Sequence, residues 1–284
     1  MSSASATRVG LLAIFLWATL ALFTAMTGKV PAFQLTALTF AIGGTVGLAA
    51  VLAGPGLGVL VQRPAAYLHG VGGLFGYHFL YFASLKLAPP AEAGLINYLW
   101  PLLIVLLSAF LPGGRLKPVH VAGALLGFAG TVVLLLGKGG FSGLEARYAP
   151  GYLAAFLGAF VWSSYSVASR RFADVPTHAV AGFCLVTALL AAICHLALEE
   201  TVWPKDWVEW AAVIALGIGP VGLAFYAWDI GMKQGDVRFL GVASYAAPVL
   251  STLLLVVTGF AAPVWTLGLA CLLIVGGAFV ATRR

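Results

Sequence analysis

Apolar residues run along this chain in ten blocks, at 9–27, 33–53, 65–87, 90–111, 119–137, 150–169, 176–198, 207–231, 237–259 and 263–281. A helix that crosses a bilayer needs ~20 mostly apolar residues, so the pattern predicts ten transmembrane helices. Glycine and proline punctuate local structure. They mark the block ends here: Pro31, Pro55, Pro64, Pro89-Pro90, Pro112-Gly113-Gly114, Pro118, Gly139-Gly140, Pro176, Pro204 and Pro263 all stand at or near a boundary. A membrane β-barrel would instead show ~10-residue segments of alternating polarity, and the sequence has none.

The blocks also repeat. Val30-Pro31 returns as Val175-Pro176, Phe15-Leu16-Trp17 as Phe160-Val161-Trp162, and Tyr98-Leu99-Trp100-Pro101 as Tyr245-Ala246-Ala247-Pro248. Lys86 falls opposite Lys233 and Pro118 opposite Pro263. The offset stays near ~145 residues, the kind of internal period that organises a whole fold. Each copy, 9–137 and 150–281, holds five blocks. A tandem copy of an odd number of spans enters the bilayer upside down. The expected fold is therefore an all-α integral membrane protein, a 5+5 inverted repeat within a single membrane-embedded unit over 1–284, as in many secondary transporters.

Composition agrees. The chain is 62% hydrophobic and 8% charged, with a mean hydropathy of +1.03, against about 25% charged for a soluble domain. No polar stretch is long enough for a separate soluble domain. Cys184, Cys194 and Cys271 lie inside apolar blocks at spacings that fit neither a disulfide framework nor a zinc site. Arg8 followed by an apolar run resembles a signal peptide, but 9–25 is long for a signal core and has a repeat partner at 160–169. With both termini in the cytoplasm, ten of the fifteen Lys and Arg residues fall inside (Arg8, Arg63, Arg115, Lys117, Arg170, Arg171, Lys233, Arg238, Arg283, Arg284). Lys29, Lys86, Lys138, Arg147 and Lys205 fall outside. The positive-inside bias thus orients the chain, and the +6 charge is an orientation signal rather than a nucleic-acid footprint.

The candidate chemistry lies near span centres. Tyr77, His78 and Tyr81 share one face of the third span, and Asn97 and Trp100 one face of the fourth, beside Tyr98. Trp162 with Tyr165 adds aromatic surface from the sixth span. Rings with polar edges suit a flat apolar substrate, with hydroxyl, amide and indole groups to orient it. Pro101 and Pro248 predict matched kinks that free the carbonyls of Asn97 and Ser244, and Ser244 is the repeat partner of Asn97. Trp203, Trp207, Trp210 and Trp265 lie near span ends, as an interfacial belt would. Asp229 and Lys233 are spaced for an i,i+4 ion pair, and Glu92 in a first turn suits a helix N-terminus. His195 is expected at the interface and His69 near a cavity mouth. No HExxH, GxSxG or Walker A sequence is present. No metal site, cofactor, nucleic-acid partner or ATPase subunit is expected.

Ten spans, two five-span halves and the Trp100-Pro101 pair resemble the drug/metabolite transporter superfamily with EamA-type repeats. Gly123, Gly127 and Gly130 are similar to that family's fifth-span pattern, and Gly268 with Gly276-Gly277 to its tenth. The aromatic residues look most like its aromatic amino acid exporters. Where EamA repeats often carry a Glu after the fourth span, this chain has Gly113-Gly114-Arg115, and Gly259-Phe260-Ala261 in the second half. No role of that Glu carries over. The resemblance implies a secondary transporter in the cytoplasmic membrane that exports small neutral amphipathic metabolites, foremost aromatic and other neutral amino acids, by alternating access. Tyr77, His78, Tyr81, Asn97, Tyr98, Trp100, Trp162 and Ser244 would contact the substrate. One chain suffices, because it carries both halves. A same-fold exporter of drugs, nucleosides or other metabolites is the alternative, and a membrane-embedded enzyme the remote one.

Overall fold

The structure, a computed structural model, describes residues 1–112, 116–137, 139, 141 and 143–282. The expected break at Gly113-Gly114 and the positions of Arg115, Lys138, Arg283 and Arg284 lie outside the described residues.

The chain folds into helices α1 (Ser3–Ala18), α2 (Leu20–Met26), α3 (Ala32–Ala53), α4 (Pro64–Leu87), α5 (Pro90–Asn97), α6 (Trp100–Leu107) and α7 (Pro118–Gly137). Helices α8 (Ala149–Ala168), α9 (Val180–Leu198), α10 (Trp207–Ile218), α11 (Ala224–Gln234), α12 (Val237–Ala243), α13 (Ala246–Val257) and α14 (Thr266–Thr282) follow. The described residues contain no β-strand. Eight continuous helical segments are long and apolar enough to cross a membrane. Two of the ten expected spans fall outside that set for different reasons. Helix α4 has 24 residues but carries Tyr67, His69, Tyr77, His78, Tyr81, Ser84 and Lys86, and α14 has only 17 residues. Large apolar side chains such as Phe15, Leu68, Leu196 and Leu272 point outward, as they do where lipid replaces water.

Four spans are interrupted. Helices α1 and α2 meet at Thr19, whose hydroxyl donates to the Leu16 carbonyl at 2.7 Å. Helices α10 and α11 are joined by a π turn, Gly219–Leu223, which contains Pro220. The breaks between α5 and α6 and between α12 and α13 fall just before Pro101 and Pro248. Proline lacks an N–H and fixes φ, so it sits most easily in the first turn of a new helix. Pro101 does so in α6. The expectation that Pro248 frees the Ser244 carbonyl is not met, because that carbonyl accepts the Ala247 N–H at 3.1 Å.

Packing joins first-half helices to second-half ones: α1 to α11, α3 to α9, α4 to α8 and α7 to α14. The last pair approaches backbone to backbone. A Cβ on Gly123 would stand 2.6 Å from the Gly277 carbonyl oxygen, and one on Gly277 2.5 Å from that of Gly123, so only glycine permits this crossing. At the start of α3, Glu199 caps the helix from the far half of the chain. Its carboxylate accepts the N–H groups of Phe33 (3.0 and 3.1 Å) and Gln34 (3.1 Å) and pairs with His195 Nδ1 at 3.1 Å. His195 stands in the last turn of α9 and is buried in the protein, and its second nitrogen meets the Thr201 hydroxyl at 2.9 Å.

Candidate functional site

A cavity of about 190 Å³ lies in the middle of the bundle. Helix α4 sends in Tyr77, His78 and Tyr81, α5 sends Asn97, and Tyr98 and Trp100 come from the break and the start of α6. Trp162 of α8 completes the expected group. Trp17 packs edge to face on Trp162 at 5.6 Å and on Trp100 at 6.2 Å, and Tyr77 lies tilted against Trp162 at 5.3 Å. Tyr81 stacks on Tyr77 at 5.9 Å, the consequence of i,i+4 spacing on one helix. Each such pair is worth ~0.5–1.5 kcal/mol beyond its buried area, so the wall is held in shape before anything binds.

Seven of the eight expected residues thus surround one space. Ser244 does not. It is fully buried, and its hydroxyl donates to the Leu240 carbonyl at 2.7 Å within its own helix. Its repeat partner Asn97 differs: Nδ2 donates to the Tyr77 hydroxyl at 3.1 Å, while the buried Oδ1 has no hydrogen-bond partner among the described residues. His78 Nδ1 lies 2.7 Å from the Leu74 carbonyl. A carbonyl only accepts, so Nδ1 carries the hydrogen and Nε2 of the neutral ring is left as its acceptor. Trp17 donates its indole N–H to the Pro220 carbonyl at 3.0 Å, a group exposed by the π turn.

The sequence reading missed Leu20, Ala21, Val221, Phe225, Ala247 and Ser251 on this wall. Two of them carried a signal. Phe225 is the repeat partner of His78, and Ala247 that of Trp100. No Asp, Glu, Lys or Arg lines the cavity among the described residues.

Toward the end where α1 begins and α4 starts, the bundle is filled. Trp228, which donates to Ser166 Oγ at 3.0 Å, lies 5.0 Å from Trp17 and closes the cavity floor. Beneath it His69 stacks on Phe172 at 4.3 Å and meets Ser169 at 3.1 Å. His69 is half-buried and lines a small recess with Phe172 and Lys233. Lys233 Nζ bonds Asp229 at 2.8 Å and the Val175 carbonyl at 2.8 Å, and Thr177 donates to Asp229 at 2.6 Å. The ion pair read from the i,i+4 spacing is present, and both side chains are buried.

Apolar spans around a ring-walled cavity, open on one half and packed on the other, make a membrane transporter. The chain belongs to the EamA-like transporter family, whose model matches residues 6–136 and again 149–283. It is a multi-pass membrane protein. It is 69% identical to the aromatic amino acid exporter YddG of Ancylobacter novellus, over 99% of this chain and 98% of that one. It is 29% identical to the aromatic amino acid exporter YddG of Escherichia coli over the full length of both. A crystal structure 68% identical in sequence superimposes with a TM-score of 0.96, covering 99% of this chain and 97% of that chain.

Proposed function

We propose that this protein exports aromatic amino acids from the cytoplasm, and that it does so by alternating access about the central cavity. The observation that carries the reading is the cavity wall. Flat rings match a flat substrate side chain, while Asn97 Oδ1, His78 Nε2 and the Tyr77, Tyr81 and Tyr98 hydroxyls supply polar contacts without charge. The resemblance to the two exporters agrees with this cargo.

The proposed frame is ten spans in two inverted five-span halves, with both termini cytoplasmic and one chain sufficient. Its support is the packing pattern. The contacts of α1 with α11 and of α4 with α8 exchange under the repeat, while α3 with α9 and α7 with α14 map onto themselves. The register also pairs cavity residues with sealed ones: Leu20 with Tyr165, Ala21 with Ser166, Tyr81 with Trp228. The first of each pair lines the cavity, and the second is buried. In the opposite state these roles exchange. With no charged group lining the cavity among the described residues, the driving force in this reading is the substrate's own gradient, with His78 as the group that would couple a proton.

The test is efflux from preloaded proteoliposomes, comparing phenylalanine and tryptophan with threonine and a lipophilic cation. Saturable efflux of the aromatic pair, lowered at least tenfold in Trp100→Ala at unchanged protein yield, is expected. Efflux of the cation alone refutes the cargo.

A further inference from the structure

The central cavity leaves one chemical problem open. An amino acid carries an ammonium and a carboxylate, and nothing charged lines the cavity among the described residues. A second cavity, about 270 Å³, lies at the sealed end of the bundle and has the missing charges. Its lining includes Ser3 of α1, Ser108 just past α6, Arg170 just past α8, and Asp236 and Arg238 at the start of α12. Three of these helices also carry rings of the central cavity: Trp17 on α1, Trp100 on α6 and Trp162 on α8.

The charged groups here are held in place by the backbone. Arg170 Nε donates to the Met232 carbonyl at 3.2 Å, and its Nη2 donates to the Gly235 carbonyl. Arg238 Nε donates to Ser108 Oγ at 3.3 Å, while both of its Nη groups are without a protein acceptor among the described residues. Asp236 Oδ1 accepts the N–H groups of Arg238 and Phe239, each at 3.0 Å. Its side chain is thereby fixed, with Oδ2 left over. Two guanidinium groups and one carboxylate match a zwitterion: its carboxylate accepts charge-assisted bonds from arginine, and its ammonium donates them to aspartate.

The other mouth has no such set. The register that pairs Trp17 with Trp162 pairs Arg170 with Ala25. The register that pairs Tyr98 with Tyr245 pairs Arg238 with Ala91, Asp236 with Pro89 and Ser108 with Leu255. The positions of the other mouth that match Arg170, Asp236 and Arg238 in the repeat therefore lack this set.

Resting on the exporter reading above, we infer that Arg170, Asp236 and Arg238 form a capture site for the α-ammonium and α-carboxylate of the amino acid on the cytoplasmic side. It is separate from the cavity that reads the side chain. The charged mouth replaces the hydration of the headgroup as the substrate arrives and raises its local concentration. The other mouth lacks this set at the matching positions, so the substrate leaves without breaking those ion pairs.

The experiment uses the full chain in proteoliposomes, with Ser3→Cys as a reporter at this mouth and a membrane-impermeant maleimide as its probe. The parent without Ser3→Cys corrects for the native cysteines. Phenylalanine is expected to slow modification, and phenethylamine, which lacks the carboxylate, is not. In Arg238→Gln that protection is expected to vanish and flux at low phenylalanine to fall about tenfold, the scale of one lost charge-assisted contact. Arg238→Lys is expected to retain most of both. Equal protection by the two compounds, no protection by phenylalanine, or unchanged flux in Arg238→Gln at every concentration overturns the capture site while leaving the exporter reading intact. A parent that carries no phenylalanine overturns the exporter reading and this inference with it.

Discussion

The break between α5 and α6 and the break between α12 and α13 stand at matching places in the repeat, yet their tyrosines meet opposite surroundings. Tyr98 borders the open cavity. Tyr245 is fully buried, and its hydroxyl accepts the Leu102 N–H at 3.1 Å, a backbone donor left over where α6 begins. One motif therefore serves as a wall in one half of the bundle and as a plug in the other. The same contrast holds one layer away, where exposed Lys86 corresponds to Lys233, buried against Asp229 and the Val175 carbonyl. Sequence kinship marks residues that can trade places. Packing decides which of a pair is sealed.

The strongest way to break the contrast is to strip the plug of one charge. Lys233→Met leaves Asp229 buried without its cation, so a loss of about 3–5 kcal/mol in unfolding free energy is expected. Lys86→Met is expected to change little, and Asp229→Leu with Lys233→Met to restore most of the loss. Thermal unfolding of the purified protein reads all three. Equal destabilisation by Lys86→Met would erase the distinction between the two ends.

The tyrosines give a finer test. Tyr245→Phe orphans the Leu102 N–H, at an expected ~1–3 kcal/mol. Tyr98→Phe is expected to leave stability within ~0.5 kcal/mol and to lower aromatic amino acid flux instead. A stability loss of the same size in both variants would show that the two breaks are not in different states. A smaller effect than that of Tyr245→Phe is expected at Glu199→Gln, which keeps one acceptor oxygen for the α3 amides but removes the charge favoured by a helix N-terminus. It should cost ~1 kcal/mol, lessened by added salt.

Much of the cavity was legible because its residues announce themselves by spacing. Tyr77, His78 and Tyr81 fall on one helical face, and Asn97 and Trp100 on another. Polar rings at mid-span are conspicuous among Leu and Val. Leu20, Ala21 and Ser251 were not legible, since nothing local separates them from lipid-facing neighbours. They reach the cavity because α2 and α13 border it. Ser244 misled for the opposite reason: it shares a register with Asn97, but in a tightly packed segment a serine hydroxyl satisfies itself on the preceding turn. His195 was read from its place near a block end, which cannot show that Glu199 folds back over α3.

That last contact has a consequence for synthesis. The amides that open the second span are capped by a carboxylate 166 residues later. At about 5–20 residues per second, the ribosome takes on the order of ten to thirty seconds to deliver it. During that interval the early helices sit in the bilayer with the donors at this end of α3 facing headgroups or water. The first half of the chain can be inserted well before it is finished, and its final turn is locked only when the second half arrives to hold it.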